Sequence, residues 1–508
     1  MKPYPVRRLL ILFLVCGLTL PLMPGCARQA GAKLPEIDDW DVAMIKGQRI
    51  GHAHTTVRHV EEAGRATVKV RQLLQLVMQR FGDETRMEID YSDTETPDGQ
   101  LIDFEIVAKQ GATPMRTTGK VAGKLLEVQI ETQGQTQKQS VAWPAGAGGL
   151  LAPELSLCAA PLKPGERRTI EHLNFDNQVC TTELTARKEE QVELLGSTCR
   201  LLKIDAVDRI AADAQGRKTE IKGAYWANAT GDVLKSWIEP MNMETYRVTE
   251  QVALAKIPPG KLDLGEAMLV KVDRPIPHAH DTKWVRYRIH IDGGDPVAAF
   301  PAGPSQEVKR IDDHTAEVTV RAIRPEMTVE KGGTTSADKP GDDDRKPNNF
   351  IQCDDPLIVA QAKEAVGGET DPWKQAVALE AYVHRAVTMK DFSQALDTAS
   401  DVARSHEGDC TEHAVYLAAL ARARNIPARV AVGLVYMPQA QTFGYHMWTE
   451  LYVADRWIAM DGTLAKGGIG GGHLQLAHSP MAGVAAYNVF YPVMQVIGRL
   501  KIEVLDWE

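Results

Sequence analysis

From Asp39 to about Leu254 apolar side chains return at every second position, and no other feature of this chain narrows its fold as far. Met87, Ile89 and Tyr91 alternate with Glu88 and Asp90. The same beat runs through Ile102, Phe104 and Ile106, and again through Leu126, Val128 and Ile130. A period of two sends alternate side chains to opposite sides of a pleated strand, so these runs form an antiparallel sheet with one face buried and one in water. Turn residues part the runs, at Pro97-Asp98-Gly99, Gly119, Gly123 and Asn228-Ala229-Thr230-Gly231-Asp232. The pattern predicts a large β-meander or half-barrel over residues 33–260. It contains no nucleophile cluster, metal-ligand spacing or phosphate loop, which points to a structural or binding role.

A second alternation follows within 261–327, where Val285, Tyr287, Ile289 and Ile291 interleave with Arg286, Arg288 and His290. It predicts a small β domain or an extension of the first sheet. Residues 328–350 are rich in Gly, Asp, Lys, Pro and Asn without periodicity, and read as a flexible linker. Their run Asp342-Asp343-Asp344 lacks the spaced ligands of a calcium loop and reads as solvated charge. Beyond it the period becomes helical: Asp371 is suited to cap a helix with Pro372 in its first turn, and Trp373, Ala376, Val377, Val383 and Val387 follow at three- and four-residue spacing. At 508 residues and 44% hydrophobic the chain fills several cores. The expected class is multidomain α+β: a large N-terminal antiparallel region, a small second β segment, and a mixed C-terminal domain over 351–508.

Chemistry concentrates in that last domain. From Thr411 to Asn425 the residues are helix formers so apolar that the helix must be largely buried, which sets Cys410 at its N-terminus. Partial positive charge there favours a thiolate and suits an oxyanion. Pro427 stops the helix, and Val430 to Tyr436 reads as a buried strand. Two more strands follow, around His446-Met447-Trp448 and Trp457-Ile458-Ala459-Met460-Asp461. With Ala454-Asp455 as a two-residue turn, Val453 faces Arg456 and Asp461 lies opposite Trp448, a diagonal neighbour of His446. Cys410, His446 and Asp461 then form a nucleophile, base and orienting acid. A metal reading of His406, Asp409, Cys410, Glu412 and His413 lacks a second Cys or His pair at zinc spacing. His473 and His478 read as loop residues after the glycine-rich 467–472, which itself reads as an open or mobile rim.

The Gly-x-Cys helix start, Arg-Asn-Ile-Pro-Ala-Arg at 424–429, the His-x-Trp-x-Glu strand and the Trp-x-x-x-Asp strand together resemble the transglutaminase-like superfamily over about residues 391–465. The resemblance implies a papain-like core, with Cys410 as nucleophile, His446 as general base and acid, and Asp461 orienting the imidazole. It carries over no metal and no cofactor. Gly462-Thr463 stands where Pro-Thr is common in the family. The expected activity is cleavage of peptide or isopeptide-type amides in a protein or peptide substrate, through a thioester. The alternatives are glutamine transamidation, and an inactive binding or scaffold module.

The N-terminus sets the compartment. Lys2, Arg7 and Arg8 precede an apolar run from Leu9 to Met23, and the run ends at Leu22-Met23-Pro24-Gly25-Cys26. This reads as a signal peptide over 1–25, with Cys26 lipidated and anchoring an exported envelope protein to the membrane. Cleavage after Ala30-Gly31-Ala32 is the alternative. Beyond Cys26 the cysteines are Cys158, Cys180, Cys199, Cys353 and Cys410, of which Cys180 and Cys199 lie in neighbouring strand-like runs that would allow pairing. A net charge of −9 with no basic stripe excludes binding to nucleic acid through phosphates. Nothing in the sequence sets the oligomeric state. Cys26→Ser is expected to release the protein from membranes in cell fractionation; a mature N-terminus at Lys33 in the wild type would contradict the lipid anchor while leaving export intact.

Overall fold

The computed structural model describes residues 34–508 except 63, 134, 211–218, 240–241, 257–262, 325–337, 389–395 and 484–485. The signal segment 1–25, Cys26, the alternative cleavage site and residues 328–337 of the expected linker lie outside the described residues. At 49% strand and 18% helix the chain is mostly β, and the longer helices belong to the C-terminal region.

The period-two segment forms one 14-stranded antiparallel sheet built from two meanders. One runs in chain order from the strand Ile37–Ile45 to Gln135–Ala142, the other from Arg167–Leu173 to Met243–Val248. They join where the first strand pairs with the last, Trp40 opposite Val248 and Ile45 opposite Met243. Gln135–Ala142 and Arg167–Leu173 end the order at either side, so the sheet is open among the described residues. An open sheet still has to cover its apolar face. The helix Ala152–Ala159, on the connection between the meanders, does this for both halves. Leu155 packs on Val57, Val68 and Val70 of the first meander. Leu157 packs on Leu184, Ile204, Ala227 and Val233 of the second. Burying each leucine contributes about 2 kcal/mol.

The segment 261–327 is not a separate domain. Its strands Trp284–Ile291, Gln306–Arg310 and Thr315–Arg321 form a four-stranded sheet whose fourth member is Leu500–Trp507 from the far end of the chain. The apolar face of that sheet, including Val285, Tyr287, Val318 and Val504, shares one core with Leu434, Tyr436, Phe443 and Leu474 of the C-terminal sheet. Val270–Lys271 adds directly to the edge of that C-terminal sheet, opposite Phe443 and Thr442.

The C-terminal sheet runs Val270–Lys271, Thr442–Val453, Ala428–Met437, His473–Ser479, with Arg456–Met460 paired farther along Thr442–Val453. The helix Cys410–Ala423 lies against it, and Pro356–Val366 and Pro372–Ala386 pack on the helix. Residues 338–350 are not a flexible linker but part of this packing. Asp338 pairs with Arg429 at 2.6 Å, and the Lys339 ammonium donates to the Tyr452 hydroxyl at 2.8 Å. Asn348 and Asn349 are buried, and the Asn348 side chain accepts from the Phe350 and Ile351 amides. Side-chain amides of this kind order a backbone without leaving a hydrophobic period to read.

Cys180 and Cys199 sit on paired strands but far apart along them, Cys180 opposite Ile210 and Cys199 opposite Val192. Both are free thiols, as are Cys158, Cys353 and Cys410. Leu157→Ala is expected to lower stability by about 2–5 kcal/mol in urea unfolding. Leu254→Ala, at a site 54% exposed, is expected to change it by less than about 0.5 kcal/mol. Equal effects would mean that the connecting helix does not hold the sheet's core.

Candidate active site

The helix that carries Cys410 is closed at its start by a reciprocal cap. The Asp409 carboxylate accepts from the Thr411 amide at 2.8 Å, and the Glu412 carboxyl accepts from the Asp409 amide at 2.8 Å. This arrangement satisfies two of the amides that every helix start leaves over. It also fixes Cys410 as the first helical residue, half-buried at the end of an otherwise buried helix. Burial, then the neighbouring Asp409 charge, pushes the Glu412 carboxyl up to about 8.

His446 stands on the strand Thr442–Val453 and Asp461 follows Arg456–Met460. Ala454 and Asp455 both take the left-handed conformation, with φ of 51° and 60°, as a tight two-residue turn of this hand requires. Val453 therefore faces Arg456, Thr449 faces Met460, and the next position brings Asp461 beside His446. His446 Nε2 lies 2.9 Å from Asp461 Oδ2. Because the carboxylate only accepts, Nε2 carries the hydrogen, which leaves Nδ1 free of Asp461 on a ring whose charge is coupled to the Cys410 thiol. The structure thus brings Cys410, His446 and Asp461 together.

Two further residues belong to the site. His473, read from the sequence as a loop residue, opens the buried strand His473–Ser479, and its Nε2 donates to the same Asp461 Oδ2 at 3.0 Å. Asp461 Oδ1 accepts from the Thr463 amide at 2.8 Å. Glu380, on the helix Pro372–Ala386, accepts from the amides of Asp461 at 2.9 Å and Gly467 at 2.7 Å. It holds the loop after Asp461 in place, and burial pushes its carboxyl up to about 7. Gly468 and Gly470 to Gly472 are accordingly packed rather than an open rim, while a Cβ at Gly467 would meet open space. A Cβ at Gly470 would come within 2.5 Å of the His280 carbonyl oxygen, and one at Gly471 within 2.4 Å of the Val285 side chain. Trp448 and Trp457 are core residues, each 1% exposed. His478, also read as a loop residue, closes the same strand beside Glu450.

The electrostatics follow from burial against pairing. Burial opposes charge on Asp461, yet His446 and His473 together hold its carboxyl well below the usual range. Burial also opposes charge on His446, but Asp461 and the thiol outweigh it and hold the imidazole up at about 10. Burial pushes the His473 ring down, keeping it a neutral donor. Burial and Asp409 push the Cys410 thiol up, against the pull of His446 and the Met447 amide. This differs from the expectation of a thiolate simply favoured by the helix terminus, because burial, and after it the Asp409 carboxylate that caps the terminus, opposes charge on the sulfur.

Among the described residues, two groups bring three metal-ligand atoms within 4.8 Å of one another: His446 with Asp461 and His473, and His172 with Cys180 and Asp208. In both, the histidine nitrogens that face the cluster are already hydrogen-bonded, His172 Nε2 to the Thr182 hydroxyl at 2.7 Å. The first-turn group around Cys410 is likewise engaged, with His413 Nδ1 on the Asp409 carbonyl at 2.5 Å.

Residues 359–462 match the transglutaminase-like superfamily core, and this region of the chain is a transglutaminase-like domain. No curated protein matches the chain. Among solved structures, a candidate cysteine protease from Cytophaga hutchinsonii is 16% identical with a TM-score of 0.28, over 44% of this chain and 86% of that one. A β-barrel-like domain of unknown function from Brucella abortus is 12% identical with a TM-score of 0.29, over 42% and 93%. A candidate protease from Parabacteroides distasonis is 10% identical with a TM-score of 0.18, over 69% and 64%. Superpositions this loose fix neither fold nor activity.

The raised His446 makes a pH prediction with a definite sign. A base raised above its unfolded value near 6.5 contributes stability that is fully present below pH 6.5 and lost as the pH climbs through about 10. In Asp461→Asn only the thiol is left to oppose burial of the ring, so His446 is expected to titrate well below about 10. Histidine side-chain nitrogen shifts measured by NMR check this. A neutral His446 at pH 7 in the wild type would contradict it.

Proposed function

We propose that the transglutaminase-like domain is a cysteine hydrolase of peptide or isopeptide-type amide bonds. The observation that carries the reading is the buried pair of His446 and Asp461 at 2.9 Å, with the Cys410 thiol electrostatically coupled to the same ring. Its members come from three separate elements, and Asp461 and His446 are held there at real desolvation cost. In this reading the Cys410 proton already rests on His446, and Sγ attacks the amide carbonyl carbon as a thiolate paired with the imidazolium. Partial positive charge at the start of the helix steadies the developing oxyanion. The C–N bond then breaks as His446 returns the proton to the departing nitrogen, leaving an acyl group on sulfur. Water attacks the thioester and gives a proton to His446, the C–S bond breaks, and the thiol is regenerated with release of a carboxylate. Asp461 keeps the imidazole in the productive tautomer and stabilises its protonated form.

With the lipid anchor expected at Cys26, the enzyme would work outside the cytoplasm on envelope proteins or peptides, and the large sheet would present or select them. Among the described residues no helix is long and apolar enough to cross a membrane. Incubating envelope proteins with the wild type and with Cys410→Ala, with and without a primary amine, tests the reading by mass spectrometry. New termini that depend on Cys410 are expected. Amine incorporation exceeding hydrolysis of the same bond would replace the hydrolase with a transamidase, and identical products from the two proteins would remove the enzyme.

A further inference from the structure

Two loops of the N-terminal sheet reach the first turn of the Cys410 helix. At the tip joining Arg65–Arg80 to Asp83–Glu95, Arg80 Nη2 lies 2.8 Å from Asp409 Oδ2, whose side chain has no exposed surface. The tip is itself fixed, since the Phe81 and Gly82 amides donate to Asp263 at 2.9 and 2.7 Å. At the second loop the Ala112 amide donates to Asp397 at 2.6 Å, and the Asp397 amide donates to Glu412 at 3.0 Å. The approach is close: a Cβ at Gly111 would meet Asp397 Oδ1 at 2.3 Å. Both halves of the helix cap, Asp409 and Glu412, are thus gripped from the sheet.

We propose that Arg80 is a positioning residue for Cys410, neutralising the buried carboxylate next to the nucleophile, and that the N-terminal sheet is therefore a working part of the catalytic unit. Asp409 is needed as the cap, but its charge is adjacent to the sulfur and opposes a thiolate. It adds to burial in pushing the thiol up. The other titratable groups around this point are His446 and Asp461 beside the ring, His473 behind Asp461, and Glu412, His413 and Asp397 around the first turn. Of these, His446 carries the positive charge on the strand side, and Arg80 supplies one from the opposite domain. A ligand or partner that moves the sheet's hairpin would change nucleophile reactivity without touching the site.

The inference rests on Cys410 being the nucleophile, and its test separates the two. Iodoacetamide alkylation of Cys410 is followed across pH 5 to 10, roughly the range of a thiol and imidazole titration, by peptide mass spectrometry on the full chain. In Arg80→Met the rise of the profile is expected to move up by about half to one pH unit. Alkylation near neutral pH should slow about three- to tenfold. Arg80→Lys should restore most of the rate. Asp409→Asn keeps a good helix cap while removing the charge, so it should speed alkylation alone and reverse the slowing in Arg80→Met. Should Arg80→Met fail to fold, Asp409→Asn and Arg80→Lys still decide. An unmoved Arg80→Met profile, a slowing that Asp409→Asn does not reverse, or an Asp409→Asn no faster than wild type overturns the proposal. If wild-type Cys410 is itself no more reactive than the other thiols, the enzyme reading fails first.

Discussion

The Asp461 carboxylate is the interaction on which the C-terminal site depends. It is 1% exposed, and its two oxygens accept from His446, His473 and the Thr463 amide. Burying an ionised carboxylate costs several kcal/mol unless such partners are supplied. His446 and His473 come from different strands, so the charge is tolerable only when the turn at 454–455, the packed glycines Gly468 and Gly470 to Gly472, and the Glu380 helix are all in place. Removing the carboxylate would leave a buried imidazole without its anion, and removing His473 would leave the carboxylate short of a donor. The site is thereby coupled to the fold around it.

A second consequence concerns the domain plan. The sheet from Trp284 onward is completed by the chain's last strand and shares its core with the sheet bearing His446. The large N-terminal sheet touches the helix cap directly through Arg80, and Ala112 bonds Asp397, which in turn bonds Glu412 of the cap. Tyr491 also hydrogen-bonds Asp176 across the same junction. Three sequence regions with different periodicities therefore behave as one mechanical unit around Cys410.

The parts legible in the sequence were those with local causes. Alternation gave the large meander, Asp371 and Pro372 marked a helix start, and the parity of a two-residue turn placed Asp461 beside His446. What stayed hidden depends on contacts between distant segments. His473 follows a run of glycines and looks like loop, yet those glycines are small because backbone from 279–282 and the Val285 side chain pack against them. Glu380 reads as one polar residue in an amphipathic helix, and only the structure shows three amides converging on it. Residues 338–350 are polar and aperiodic, which is the composition of a linker. Their order comes from Asn348 and Asp338 bonding to partners that sequence does not bring near.

The central claim is that Cys410 alone among the thiols is chemically activated. Burial raises the thiols of Cys158 and Cys180 to about 12 and raises those of Cys353 and Cys410 as well, but of these four only Cys410 is drawn back by a histidine, His446. Limiting iodoacetamide followed by peptide mapping of the folded protein measures every cysteine in one experiment. Cys410 is expected to be modified first, ahead of Cys158, Cys180, Cys199 and Cys353, and His446→Ala is expected to slow Cys410 and no other site. Modification of Cys410 at the rate of the other thiols, or a rate indifferent to His446, would contradict it.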